Sequence, residues 1–395
     1  MDQHAFSLAD RPRVILTTAG LVTLVALAAQ WSIDGNRRID YRIYSRAVSS
    51  IGDAGLYGYG TGILRFTYPP IAAVVVWPFA QLDEALGSRI WLVTSIVAFV
   101  AAYALTFAQI GGPRRVTDTE AILGGAVALW FLPAASTLRL GQINAFVMLL
   151  MCVDALAIAR RSRWAGVGVG LAAAIKVTPL AVVPVLFAAG SSIGRNAALR
   201  AVATVAGLTG LAAAVSPDTT SDFVRLISGR AMGREGAPSV DLRALLRSVL
   251  PSEVGADAVW LAGSAALVFL ALRTARRLGE SRGEPDGIGL ITVGMCLSTV
   301  VSPYTSAHHL TFATAAVALW AARSTKPWHR VVAALGFVSL LAPSSGETAA
   351  TRWALVVLCS VTVVGLPASR RSPDADDFVA SSAIPQDVGP PRGGH

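Results

Sequence analysis

Long uncharged apolar runs recur along this chain, and they decide its fold class. Residues 90–110 (IWLVTSIVAFVAAYALTFAQI) carry no charge. As a helix rising 1.5 Å per residue they match the ~30 Å hydrocarbon layer of a bilayer. Further runs fall near 14–31, 68–82, 121–138, 142–159, 164–175, 178–190, 198–215, 257–272, 287–301, 310–322, 331–343 and 352–366. Only helices or closed barrels satisfy their backbone polar groups in hydrocarbon, and these runs are too long and uniform for barrel strands. The expectation is an all-α polytopic membrane protein. Only 14% of residues are charged, where a soluble domain carries about 25%.

The net charge of +9 is almost all arginine, Lys176 and Lys326 being the only lysines. The cations sit in short loops between apolar runs, which the positive-inside rule explains without a nucleic-acid partner. Cys152, Cys296 and Cys359 each lie inside an apolar run and read as small core residues, neither a disulfide framework nor a metal set. The first run ends in ALAAQ and is read as an uncleaved span, because a multispan body follows. Residues 1–367 form the expected integral-membrane domain. The Pro- and Ser-rich remainder, 368–395, is expected to be a disordered cytoplasmic tail.

Parity orders the topology. Arg11 and Arg13 at one terminus and Arg370–Arg371 at the other place both ends in the cytoplasm, which requires an even number of crossings. The run 68–82 contains Pro69, Pro70 and Pro78 and is expected to form a re-entrant or broken helix in the first outer loop. About twelve crossings remain. The loops holding Arg114–Arg115, Arg160–Arg163, Arg195–Arg200, Arg273–Arg282 and Arg323–Arg330 then all fall on the cytoplasmic side. The outer face collects the loop 32–67, the RLGQIN turn at 139–144, Lys176, the loop 216–256 and SPYTSAHH at 302–309. A functional site is expected there.

The segment NRRIDYRIYSRAV (36–48) sets one carboxylate among four arginines. As a helix over 38–51, it places Arg38, Arg42 and Arg46 on one stripe and Asp40, Tyr44, Ala47 and Ile51 on the other side, an amphipathic interfacial pattern. The stripe reads as a solvated or headgroup-facing surface. Asp40 reads either as a helix-start carboxylate favoured by the dipole or as a general base. His308 and His309 are the only histidines on the outer face; successive helical residues diverge by about 100°, so a shared metal is not expected. They read as interface residues or as partners for a phosphate or hydroxyl. Lys176 is a lone cation between apolar runs, either snorkelling or holding an anionic lipid phosphate. Arg139, Gln142 and Asn144 offer a guanidinium and two amides suited to phosphate and sugar hydroxyls. Arg65 and Tyr68, in RFTYPP, read as rigid packing or a donor-site contact. No P-loop, Rossmann glycine fingerprint, HExxH or Cys/His zinc spacing occurs, and the acidic cluster Asp374, Asp376 and Asp377 lies in the tail. Neither a metal nor a cofactor is implied.

Taken in order over about residues 30–310, DYRIYSRAV, GLYGYG with RFTYPP, LGQINAFVMLLMCVDALA, GVGLAAAIKVTPL and SPYTSAHH resemble glycosyltransferase family 87. That family holds actinobacterial polyprenol-phosphate-mannose-dependent α-1,2-mannosyltransferases. The chain departs from the family in having SPYTSAHH where a pattern closer to SPxSWxHH is expected, which bears on the acceptor more than on the reaction. The resemblance implies a GT-C fold and inverting transfer of mannose from polyprenyl-phosphate-mannose on the outer face of the plasma membrane. It matches the family's catalytic aspartate to Asp40, and its GQxN turn, lysine and histidine pair to Gln142, Asn144, Lys176, His308 and His309. Arg37 or Arg38, Lys176 and a histidine would stabilise the leaving lipid phosphate, with Tyr44, Arg65, Tyr68 and Arg139 completing the donor-binding set. The implied acceptor is a mannosylated glycolipid, a phosphatidylinositol mannoside or lipomannan/lipoarabinomannan; the donor is a co-substrate and no cofactor is needed. Two alternatives stay open: arabinofuranose transfer from a polyprenyl phosphate, and a lipid-linked-sugar transporter or flippase, which would place its polar groups near the bilayer midplane within inverted repeats.

Overall fold

The computed structural model describes residues 38–51, 55–58, 60–61, 64–110, 117–230, 242–279, 285–303, 305–341 and 349–368. The first apolar run, Arg37 and the tail beyond 368 lie outside the described residues. What is described is almost entirely helical. Two two-residue strands, Gly60–Thr61 and Leu64–Arg65, pair antiparallel in the first loop.

The chain enters through α1 (Ile39–Ser49), then α2 (Ile71–Ala80), and α3 (Glu84–Gln109), whose N-terminus is capped by Asp83. α4 (Asp118–Ala128) starts in a capping box between Thr117 and Glu120, and α5 (Leu132–Leu140) carries Pro133 in its first turn. Next come α6 (Asn144–Ala159), α7 (Val167–Ile175), a 3-10 turn (Thr178–Ala181) and α8 (Val182–Ala188). The second half comprises α9 (Ser192–Val215), α10 (Pro217–Arg230), α11 (Leu242–Val249), α12 (Glu253–Gly279), α13 (Gly287–Val301), a 3-10 turn (Ala307–His309), α14 (Thr311–Ala322), α15 (Pro327–Leu340) and α16 (Ala349–Gly365).

Among the described residues, α3, α9 and α12 are each long and apolar enough to cross a membrane alone. The run at 121–138 is not one straight span: α4 and α5 meet at a 65° bend. Trp130 and Phe131 lie outside the helices there, and the chain re-enters a helix around Pro133, whose fixed φ suits a first turn and not a helix interior. The other apolar helices are shorter, so each needs its flanking segments to approach the hydrocarbon thickness. α2, with Pro78 inside it, is 10 residues or about 15 Å long, well short of a crossing.

α7 and α8 form a helical hairpin. Gly166 abuts the Ala197 backbone, and Gly170 lies against Ala201 and Thr204 one turn further along α9. On the return, Leu186 and Ala189 come back beside Gly194. Both ends of 166–189 therefore meet the start of α9, and Lys176, extended at φ −147° and ψ 129°, is carried at the tip.

The two ends of the bundle differ in character. At one end a buried bidentate pair joins Arg323 to Asp286, while Arg323 also donates to the carbonyls of Ile110 and Pro367. Gly287 rests on Ala155, Gly279 on Ala189, and Arg200 donates to the Ala165 carbonyl. The segments adjoining the arginine-rich loops are thus gathered at that end. The N-terminal ends of α3, α6 and α14 and the C-terminal end of α13 point the opposite way, and the polar residues converge there.

Candidate active site

α1 is placed by both of its faces. Tyr41, Tyr44, Ala47 and Val48 are buried, so its apolar side packs on protein, chiefly against α2. The arginine stripe does not simply face solvent or headgroups. Arg38 donates to Ser88 Oγ at 2.6 Å, and Arg42 and Arg46 both pair with Glu84, at 3.0 and 2.9 Å. Three residues one turn apart on α1 thus meet two residues one turn apart on α3. Gly87 between them permits the approach, since a Cβ there would collide with the Tyr41 hydroxyl and the Phe79 carbonyl. Arg38 is buried in this contact, so its guanidinium serves the α1–α3 joint.

The turn between α5 and α6 closes on α1. Gly141 ends α5 at φ 73°, in the left-handed region that favours glycine, and a Cβ there would stand 2.8 Å from Tyr41 Cβ and 3.1 Å from Arg38 Cβ. Trp91 Nε1 donates to the Gly141 carbonyl at 3.0 Å, and Gln142 N–H donates to the Thr137 carbonyl at 2.9 Å. This anchored turn delivers two buried amides. Gln142 Nε2 donates to Asp40 Oδ2 at 2.6 Å, while its Oε1 accepts from the Tyr44 and Tyr68 hydroxyls at 2.9 and 2.7 Å. Asn144 Oδ1 accepts from Lys176 Nζ at 2.6 Å, and its Nδ2 donates to the His308 carbonyl at 2.6 Å. An ammonium only donates and an ionised carboxylate only accepts, so both amide orientations are fixed by their charged partners.

The two halves touch through Tyr68, whose ring lies 5.5 Å beneath Lys176 Nζ. Lys176 and Asn144 also line a small cavity with His309, Thr178, Ser298 and Ser302. His309 Nδ1 accepts from the Ser306 N–H at 3.1 Å, which leaves Nε2 to carry the ring hydrogen of the neutral tautomer. His308 stacks edge-on against it at 4.3 Å and serves the site through its backbone carbonyl, which also accepts from Thr137.

Burial sets the charges at this end. Lys176 stands at the non-helical hairpin tip, where desolvation lowers its ammonium to about 7 and the Asp40 carboxylate opposes that shift. Desolvation, reinforced by Lys176, lowers His308 to about 3, so that imidazole is neutral. The buried Tyr44 phenol is raised well above its usual range by desolvation, then by Tyr68 and Asp40, and remains a hydrogen donor.

One connected cluster therefore contains Asp40, Tyr44, Tyr68, Gln142, Asn144, Lys176 and the histidine pair. Arg65 and Arg139 each have a buried Nε with no hydrogen-bond partner. Arg37 falls outside the described residues. The anchoring groups Glu84 and Ser88 precede the apolar run at 90–110 and Trp91 lies inside it, so the run's composition did not mark them; the polar pair Glu84 and Ser88, one turn apart just ahead of the run, was the available signal. Among the described residues no cluster of histidine, cysteine and carboxylate side chains is built to hold a metal.

The sequence model of Glycosyltransferase family 87 matches residues 66–303, a range that includes Tyr68, the GQIN turn and Lys176. The chain is 29% identical over 305 residues to a Mycobacterium tuberculosis polyprenol-phosphate-mannose-dependent alpha-(1-2)-phosphatidylinositol pentamannoside mannosyltransferase, covering 73% of this chain and 68% of the relative. Identity to a polyprenol-phosphate-mannose-dependent alpha-(1-2)-phosphatidylinositol mannoside mannosyltransferase from the same species is 28% over 414 residues, 91% of this chain and 94% of the relative. A pentamannoside mannosyltransferase of Mycolicibacterium smegmatis is 30% identical over 307 residues, 73% and 71% of the two chains. The chain belongs to glycosyltransferase family 87.

Proposed function

We propose that this chain is an inverting mannosyltransferase that moves mannose from polyprenyl-phosphate-mannose to a phosphatidylinositol mannoside or a related mannosylated glycolipid, forming an α-1,2 bond at the outer face of the plasma membrane. One observation carries the reading. Gln142 and Asn144, on a single turn, hold a carboxylate on one side and an ammonium on the other. Inverting displacement of a lipid phosphate needs that pair: a base for the incoming hydroxyl and a cation for the departing anion.

The acceptor hydroxyl oxygen attacks the anomeric carbon as the bond from that carbon to the phosphate oxygen breaks. The hydroxyl proton passes to Asp40. The electron pair leaves with the polyprenyl phosphate, whose charge is met by Lys176 and by the Nε2 hydrogen of His309, two residues that line the same cavity. Arg65 and Arg139, with unpartnered Nε atoms, are the cations available to the phosphate as it binds or leaves. A single displacement inverts the anomeric carbon, so a β-linked donor gives an α product with no covalent sugar–enzyme intermediate.

The finer architecture belongs to the same reading: a GT-C fold with about twelve crossings and both termini in the cytoplasm. The hairpin α7–α8 enters and returns from the cytoplasmic side, and the arginine loops are held at that side. Purified full-length protein in lipid nanodiscs, given radiolabelled polyprenyl-phosphate-mannose and phosphatidylinositol mannosides, is expected to yield a labelled glycolipid whose label an α-1,2-specific mannosidase releases. Transfer from polyprenyl-phosphate-arabinofuranose and not from the mannose donor would overturn the substrate assignment. Movement of intact donor across the bilayer without transfer would overturn the enzymatic reading.

A further inference from the structure

We propose that Gln142, Tyr44 and Tyr68 form a positioning device for Asp40, and that they are not contacts for the donor sugar or phosphate. This rests on the reading of Asp40 as the base. Gln142, Tyr44 and Tyr68 are buried, at 6%, 2% and 9% exposure, and their polar atoms face one another. The two phenolic oxygens lie 3.0 Å apart and both reach Gln142 Oε1. With its oxygen taken by two donors, the amide presents its N–H to Asp40 Oδ2. The reversed amide would set oxygen against carboxylate at 2.6 Å, a repulsive contact. The carboxylate thus selects the N–H face of the amide, the two phenols hold the amide oxygen in place behind it, and the amide stabilises the ionised carboxylate.

The device is rigidly supported. Tyr57 donates to the Tyr68 carbonyl at 2.7 Å, Tyr44 packs edge-on against Tyr68 and Phe66, and Gly141 fixes the amide-bearing turn against α1. Other charged groups near Asp40 are Lys176, whose ammonium lies over the Tyr68 ring, and Arg38, whose Nε donates to Ser88.

The test uses full-length protein with Tyr44→Phe, Tyr68→Phe and the double variant, assayed for mannose transfer across pH. Each single change is expected to lower kcat about 3- to 10-fold, the range for loss of one hydrogen bond. The donor KM should stay within about twofold, and the acid limb of kcat/KM should move to higher pH as Asp40 loses its oriented N–H. Gln142→Glu should move that limb furthest, by setting a second carboxylate against the first. Should the double variant fail to fold, 3-fluorotyrosine at position 68 keeps the ring and hydroxyl, alters their acidity and should shift the same limb. A donor KM raised tenfold with kcat and the acid limb unchanged would overturn the proposal and make the phenols sugar contacts. Asp40→Asn is assayed alongside. Transfer at the wild-type rate by that variant would remove the underlying reading, whereas an inactive Asp40→Asn with an unmoved acid limb in the Phe variants would remove only this proposal.

Discussion

Lys176 Nζ rests 2.6 Å from Asn144 Oδ1, at the tip of a hairpin and the head of a helix separated by 32 positions in sequence. Two residues earlier on the same turn, Gln142 turns its N–H to Asp40. The amides of one turn therefore read opposite charges, and the consequences can be measured residue by residue.

The lysine gives a pH signature. Burial lowers its ammonium to about 7, so the free protein loses this cation as pH rises through neutrality. Donor kcat/KM is expected to fall on that alkaline side. Lys176→Met should lower kcat/KM about 10- to 100-fold, the range for a hydrogen bond to a charged group, and abolish the limb. Lys176→Arg should keep the cation and move the limb out of the neutral range. A limb near 7 that persists in Lys176→Met would assign it to another group.

Gly141 couples the turn to α1. Gly141→Ala places a Cβ in contact with Tyr41 and Arg38 at a left-handed φ. The conformational strain alone costs ~1–2 kcal/mol. Transfer activity should fall by more than the loss of thermal stability accounts for, because the clash pushes Gln142 away from Asp40. Parallel melting and kinetic measurements separate the two effects, and unchanged kcat would count against the coupling.

At the opposite end, Arg323 and Asp286 form a buried pair that also gathers the carbonyls of Ile110 and Pro367. Removing one partner leaves a buried unpaired charge, so Arg323→Met or Asp286→Asn should cost about 3–5 kcal/mol. The double variant should recover part of that loss in a double-mutant cycle. The donor KM of variants that remain folded should be close to that of wild type, because the pair lies at the end remote from Asp40.

Orientation is open to chemical labelling. Cys152, Cys296 and Cys359 are buried, so an introduced surface thiol can be read against them. Gly58→Cys, in the first loop, should react with a membrane-impermeant maleimide added to intact cells. Arg163→Cys, beside the arginine-rich turn, should react only after lysis. The reverse pattern would invert the proposed topology.

What the sequence disclosed depended on how far apart the interacting residues lie. The apolar run at 90–110 announces its helix by itself, and the observed α3 begins only six residues earlier, at Glu84. The helix around Asp40 was legible from spacing alone, and Tyr44 was rightly placed on the carboxylate's side of it. The partners of Arg42 and Arg46 were not, because Glu84 lies 38 or more positions away and no local pattern ties it to them. Short apolar runs misled in another way. The segment at 121–138 has the composition of a span, but the chain leaves the helix before Pro133 and bends. Gln142 was recognised as a polar residue in an apolar setting; that its oxygen serves two phenols and its nitrogen a carboxylate is a fact of packing between three segments. A period-based reading has no term for it.

Asp40→Asn tests the central claim most directly. Asparagine keeps the shape of the side chain and removes its ability to take a proton. Wild type and variant would be given radiolabelled polyprenyl-phosphate-mannose with phosphatidylinositol mannoside acceptors, and donor binding would be measured separately. The account predicts that Asp40→Asn binds donor as wild type does and loses at least about 100-fold in transfer rate, the lower range of general-base contributions. Equal transfer by the two proteins would contradict it and return Asp40 to the role of a helix-start carboxylate.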